Sequence, residues 1–200
     1  MEPKHLALVI ADIGGYTKFI KFHQRALLHA QEIIAQLLEA VIDRASHPLI
    51  LNKLEGDAAL MYTEIGDDGA AAARDVARQV TAFFSAFHAK SKQLSGSRAN
   101  CPCDACQHII DLRLKAVLHH GIVAIRKIRQ FEELTGEDVI LAHRLLKNSV
   151  SKPEYILMSA SFHQLAVDLP GYSAEKGKES YDELGRVDTV VFAPSPSSTQ

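Results

Sequence analysis

The chain has 200 residues, with 22 basic and 24 acidic side chains, a formal net charge of −2, 47% hydrophobic and 23% charged residues. That is the composition of one ordinary globular domain with room for a sizeable core, and it offers no basic surface for nucleic acid or an anionic membrane. No apolar run approaches the roughly 20 residues of a membrane span, and the N-terminus lacks a signal-peptide pattern, so a cytoplasmic location is expected.

The first element is predicted from an unbroken apolar run, Leu6 to Ala11, ending in Asp12 and followed by Gly14-Gly15-Tyr16-Thr17. Such a run bounded by a turn signal predicts a strand buried on both faces. Lys18 to His23 is a short segment. Leu27, Leu28, Ile33, Ile34, Leu37, Leu38, Val41 and Ile42 recur at helical spacing, and that helix must end before Pro48. Leu49 to Thr63 predicts a β-hairpin with Gly56-Asp57 at its turn. Gly66-Asp67-Asp68-Gly69 is a turn, and a helix is expected from about Ala70 to Lys90, with Val76, Val80, Phe83, Phe84 and Phe87 inward.

Ser91 to Gln107 breaks the periodicity and holds Cys101-Pro-Cys103-Asp-Ala-Cys106. Ile109 to His120 predicts a strand, Gly121 a turn, and Ile122 to Ile128 the returning strand; Phe131 to Gly136 is then a loop. A helix follows at Asp138 to Val150, a strand at Tyr155 to Ser159, a short helix at Ser161 to Val167, and a last strand at Val187 to Phe192. Residues 1–193 form one domain, and the Pro/Ser-rich tail 194–200 is expected to be disordered. The order predicts an α+β sheet with helices packed on one face.

Two motifs carry chemistry. Asp12-Ile13-Gly14-Gly15-Tyr16-Thr17 and Lys53-Leu54-Glu55-Gly56-Asp57 each place a carboxylate at a strand end. Together, and in this order, they resemble the metal-site motifs of the class III adenylate/guanylate cyclases. The resemblance extends in element order over about residues 5 to 192 and implies a ferredoxin-like cyclase fold with a mostly antiparallel sheet. It also implies that Asp12 and Asp57 hold Mg²⁺ or Mn²⁺ in a two-metal site, with the backbone carbonyl of Ile13 as a further contact. Gly14 and Gly15 then let phosphate approach the main chain.

Lys53 matches the purine-reading lysine of the adenylate type, which favours ATP over GTP. Glu133 stands where that lysine's aspartate partner lies. Gly136-Glu-Asp-Val139-Ile140-Leu-Ala142-His-Arg144 follows the family's next motif, with Arg144 at the transition-state arginine. Ile140 replaces the ribose-orienting asparagine, and Lys176 and Lys178 match the family's phosphate lysine only poorly. Because the half-sites belong to different parts of the sheet, the resemblance implies a homodimer, with Asp12, Asp57 and Lys53 opposite Arg144 of the second chain. The resemblance implies a catalytic set of Asp12, Asp57 and Arg144 and a purine nucleoside triphosphate as ligand.

Two functions stay open on these residues. One is a cyclase-like lyase whose activity is weakened or lost. The other is an inactive binding or regulatory module, organised by the cysteine loop. That loop is itself open to two readings: Cys101, Cys103 and Cys106 binding Zn²⁺ with His108, His119 or His120 as fourth ligand, or a reduced, redox-sensitive thiol loop.

Overall fold

A computed structural model describes residues 2–16, 19–20, 26–66, 68–165 and 168–195. Thr17 of the first motif, most of the Lys18–His23 segment, Asp67, the end of the short helix at Val167 and tail residues 196–200 lie outside them. The elements are β1 (Pro3–Gly14), α1 (Leu27–Ile42), β2 (Ile50–Glu55), β3 (Ala58–Glu64), α2 (Gly69–Ser97), α3 (Asp104–Gln107), a 3₁₀ turn (Ile109–Asp111), β4 (Arg113–Ile128), β5 (Phe131–Thr135), α4 (Glu137–Leu145), β6 (Tyr155–Ser159), α5 (Ala160–His163), β7 (Tyr172–Tyr181) and β8 (Gly185–Pro194). They form an α+β fold around one eight-stranded sheet in the order β2-β3-β1-β4-β6-β8-β7, with β5 paired to β4. Its pairings are antiparallel except β4 with β6.

β1 is central because both of its faces are apolar. Ala7, Val9, Ala11 and Ile13 point into the core beneath α1 and α2, which buries Ile33, Leu37, Val80, Phe83 and Phe87. Leu6, Leu8 and Ile10 point the other way, into a second cluster with Leu60, Val123, Leu134, Val139 and Ala142. The long helices therefore share one face, as the periodicity predicts, while short α4 covers part of the opposite face. Alternation along β1 places Asp12 on the α4 side, in phase with Ile10.

Several boundaries differ from the sequence reading: the helix expected at Asp138–Val150 ends at Leu145, the strand expected from Ile109 begins at Arg113 after a 3₁₀ turn, and Pro194, expected in the tail, closes β8. α2 runs on to Ser97, because its last turns bury only Ser91 and Leu94 and their polar surface hides the period. Gly121 does not turn: β4 passes straight through it to Ile128, and the chain reverses just beyond, where Arg129 takes φ 57°. The returning strand is β5, the stretch expected to be a loop. β7 was not foreseen, since its sequence YSAEKGKESY is mostly polar and exposed and carries no apolar alternation. Such a charged strand suits the sheet edge it occupies. Among the described residues no helix is long and apolar enough to cross a membrane.

Candidate functional site

Asp12 is the last acidic residue of β1, and the register sets it opposite Ala58 on β3 and Lys115 on β4. The Ile13 amide donates to the Asp57 carbonyl at 3.1 Å, which pins the β2–β3 turn against the end of β1. The two carboxylates expected to share a cation thus lie in one cluster. Burial pushes the Asp12 carboxyl up to about 6, and the neighbouring Asp57 charge pushes the same way. Burial also raises Asp57. Lys115 opposes both shifts.

Lys115 is the residue that sequence reasoning missed. It lies directly across from Asp12 on the same sheet face, and its Nζ stands 5.8 Å from the centre of the Tyr155 ring. The sequence does not single it out, since β4 also carries Arg113, His119, His120, Arg126 and Lys127, and the pairing register is needed to see what it faces. Gly14 makes room for it: a Cβ there would come within 2.9 Å of the Lys115 Cε. Gly15 is exposed with φ +93°, a conformation that favours glycine.

Lys53 and Glu133 meet within one protomer, Nζ to Oε2 2.7 Å, each side chain about one third exposed. Two further contacts hold β5 over β2 and β3. The Asn52 amide donates to the Glu132 carbonyl at 3.0 Å, and the Tyr62 hydroxyl donates to the Glu132 carboxylate. Burial and Glu132 push the Tyr62 phenol up to about 12. Lys53 therefore belongs with Glu133 rather than with the Asp12–Asp57 pair, because β5 folds back across the hairpin.

Arg144 is placed elsewhere, at the end of α4. It lines a cleft of about 260 Å³ with Tyr181, Asp182 and Glu183 at the β7–β8 turn, and its ion pair with Glu183 is 3.9 Å long. The Tyr181 hydroxyl beside it is buried and has no hydrogen-bond partner among the described residues. Ile140 lies one turn before Arg144 and is 52% exposed. Lys176 and Lys178 fall on edge strand β7.

His119, offered as a zinc ligand by the sequence, is engaged otherwise. It is almost wholly buried. The Ser159 hydroxyl donates to its Nδ1 at 2.8 Å, and its Nε2–H donates to Asp138 at 2.9 Å. The hydrogen-bond partners assign this neutral tautomer, and burial lowers the His119 pKa. The trio has the composition of a hydrolytic triad but not its access: Ser159 is buried and also accepts from the Phe162 amide that opens α5. Its work is to fix the start of α4. His108 pairs with Asp111 at 2.8 Å, and His120 stacks on His5. Neither joins the cysteines. The histidine that does is His29 of α1, whose Nδ1 is 3.3 Å from the Cys103 Sγ. Helix packing alone brings it there from 74 residues away.

Several known proteins resemble the chain. An uncharacterized protein of Mycobacterium tuberculosis is 38% identical over 126 residues, which are 63% of this chain and 57% of that protein. The match thus spans little more than half the relative's length. The adenylyl cyclase CyaB from P. aeruginosa superposes with a TM-score of 0.70 at 18% identity, over 100% of this chain and 98% of that one. A class III adenylyl cyclase-like ATP-binding protein from Pseudomonas aeruginosa gives a TM-score of 0.68 at 14% identity, over 83% of this chain and 35% of that one. At such identities the likeness is one of fold, and the fold is that of the class III cyclases. The sequence itself matches, over residues 34–155, the family described as protein of unknown function (DUF2652), and to that family the chain belongs.

Proposed function

We propose that this chain is a class III cyclase-like module that binds a purine nucleoside triphosphate with a divalent cation, between two copies of itself, with cyclase activity weak or lost. The observation that carries the reading is the convergence of Asp12 and Asp57 at two strand ends. Two partly buried carboxylates, both raised by burial, form a donor set that gains from a hard cation. Mg²⁺ or Mn²⁺ held there supplies charge neutralisation for phosphate oxygens.

The chain's own groups do the rest. Lys115 adds a positive charge beside the carboxylates, and exposed Gly15 leaves the main chain open to phosphate, whereas Gly14, expected to do the same, is buried against the Lys115 side chain. Lys53 is a donor only, so it suits a ring-nitrogen acceptor, and the Glu133 carboxylate suits an exocyclic amine; that pattern favours adenine. Arg144 offers a planar fork to anionic oxygens, with the Tyr181 hydroxyl as a second donor. Leu54, Ile128, Phe131 and Ile140 are exposed apolar side chains on β2, the β4–β5 hairpin and α4, available to a second copy. Ile140 favours the second reading, a module that binds without turning over, because it presents no polar group where the ribose is to be oriented.

Titration calorimetry with ATP and Mn²⁺ tests the binding. Wild type gives saturable heat, and Asp12→Ala abolishes it; equal binding by the two proteins would overturn the site. Incubation with ATP or GTP and Mn²⁺, read for a cyclic product, separates the two readings. Gain of product in Ile140→Asn assigns the loss to that one side chain. Light scattering at micromolar concentration reads a dimer, and a strict monomer counts against the shared site.

A further inference from the structure

Cys101, Cys103 and Cys106 lie in the connection from α2 to β4, on the α1–α2 side of the sheet, away from the carboxylate cluster. Their sulfurs and the Nδ1 of His29 all lie within 4.8 Å of one another. The His29 Nδ1 is 3.3 Å from Cys103, 3.6 Å from Cys101 and 3.7 Å from Cys106, and the Cys101 and Cys103 sulfurs are 3.5 Å apart. A tetrahedral ion with Zn–S bonds of about 2.3 Å and a Zn–N bond of about 2.0 Å spaces its donors about 3.8 Å (S to S) and about 3.5 Å (N to S) apart. Four of the six donor-to-donor distances therefore already stand near the edge lengths of a zinc tetrahedron, and the other two lie within 4.8 Å. A disulfide is a poor alternative, since its sulfurs must close to about 2.0 Å and would leave the third thiol over.

We propose that Cys101, Cys103, Cys106 and His29 bind one Zn²⁺ as a structural Cys₃His site. Three thiolates select a soft or borderline ion over Mg²⁺. The local backbone presents the sulfurs together: the Cys103 carbonyl accepts from the Cys106 and Gln107 amides, and the Gln107 side chain donates to the Cys101 carbonyl at 2.8 Å. Three thiolates and a neutral imidazole leave the centre with one net negative charge. The Arg98 guanidinium interacts electrostatically with Cys106 and offsets that charge, while its pair with Glu32, 2.8 Å long, ties the same corner to α1.

The ion joins the first turn of α1 to the segment that enters β4. Asp111 and Leu112, at the end of that segment, back directly onto Gly15. Zinc thus steadies the wall behind the carboxylate cluster without sharing a ligand with it. Zinc binding at this corner requires no nucleotide.

Metal analysis of the full chain, purified without chelator, tests it. One equivalent of zinc per chain is expected. Replacement by Co²⁺ is expected to give the intense visible bands of tetrahedral thiolate coordination. His29→Ala weakens zinc affinity by more than the roughly 10- to 100-fold of a lost outer-shell partner, whereas His108→Ala and His120→Ala leave it unchanged. A strong chelator lowers the melting temperature of wild type and not that of Cys103→Ser. Absence of stoichiometric zinc in wild type, octahedral cobalt spectra, or zinc retained in full by His29→Ala would each overturn the proposal. The cobalt spectrum of wild type needs no variant to fold.

Discussion

Asp138 fills the space that a side chain on Gly121 would need: a Cβ there would lie 2.0 Å from the Asp138 Cγ. The carboxylate reaches this position to accept from the Ile122 amide at 2.6 Å and from the His119 ring. A residue that looked like a turn in the sequence is thus a landing site for the first turn of α4, the helix that carries Ile140 and Arg144.

Gly121→Ala should destabilise the protein by about 3 kcal/mol, the upper end of the overpacking range, because the added methyl meets a hydrogen-bonded carboxylate. For a chain of this size that is a drop in Tm of about 6–12 °C. Asp138→Ala loses the hydrogen bonds from the Ile122 amide and the His119 ring instead. The double variant should be more stable than the two losses added, since removing Asp138 makes room for the methyl. Strict additivity in thermal melts would show that the two residues do not share one space.

His119 should give the fold a defined sensitivity to acid. Its folded-state pKa lies below the ordinary 6.5, chiefly through burial, so below pH 6.5 the unfolded chain binds a proton that the folded chain resists. The stability it contributes is complete above pH 6.5 and is lost as pH falls toward its folded value. Urea midpoints at pH 7.5 and 5.5 should therefore fall more steeply for wild type than for His119→Gln. Parallel lines for the two proteins would place the acid sensitivity elsewhere.

The carboxylate cluster should behave in the opposite sense. Asp12 takes up its proton near pH 6 when folded against an ordinary 3.8, so in chelator-treated protein its charge opposes folding above pH 6, and that opposition fades as pH falls toward 3.8. Asp57→Asn should raise the Tm at pH 8 by at most about 2–4 °C, equivalent to no more than about 1 kcal/mol once solvent screening of this half-exposed pair is allowed for. Mn²⁺ should raise the Tm of wild type at pH 8, do less at pH 5.5, and do nothing for Asp57→Asn. A manganese shift that survives in Asp57→Asn would remove that side chain from the cation site.

Lys53→Ala separates a structural role from a recognition role. The Lys53–Glu133 pair is about one third exposed, and such pairs contribute about 0–1 kcal/mol, so the Tm should barely move. Loss of one charge-assisted hydrogen bond to the base should weaken ATP binding about 10- to 100-fold. Calorimetry showing unchanged affinity alongside an unchanged Tm would leave Lys53 as a surface residue.

Much of this was legible in the residues themselves. The run Leu6 to Ala11 dictates a strand that must be covered twice, and the apolar stripes of α1 and α2 dictate which helices cover one side. The two aspartates are marked by glycine turns, and the thiols by their spacing. What the chain could not declare is anything carried by long-range register. Lys115 faces Asp12 only because β4 pairs with β1 at one register. His29 meets the cysteines only because α1 packs on α2. Gly121 is small because of an aspartate that arrives from another element, and edge strand β7 buries only the Glu179 side chain and parts of Tyr172 and Tyr181, which leaves no apolar period. Local pattern reports what each segment must bury; only packing decides which polar groups then face one another, since those contacts join residues whose separation along the chain leaves no periodic trace.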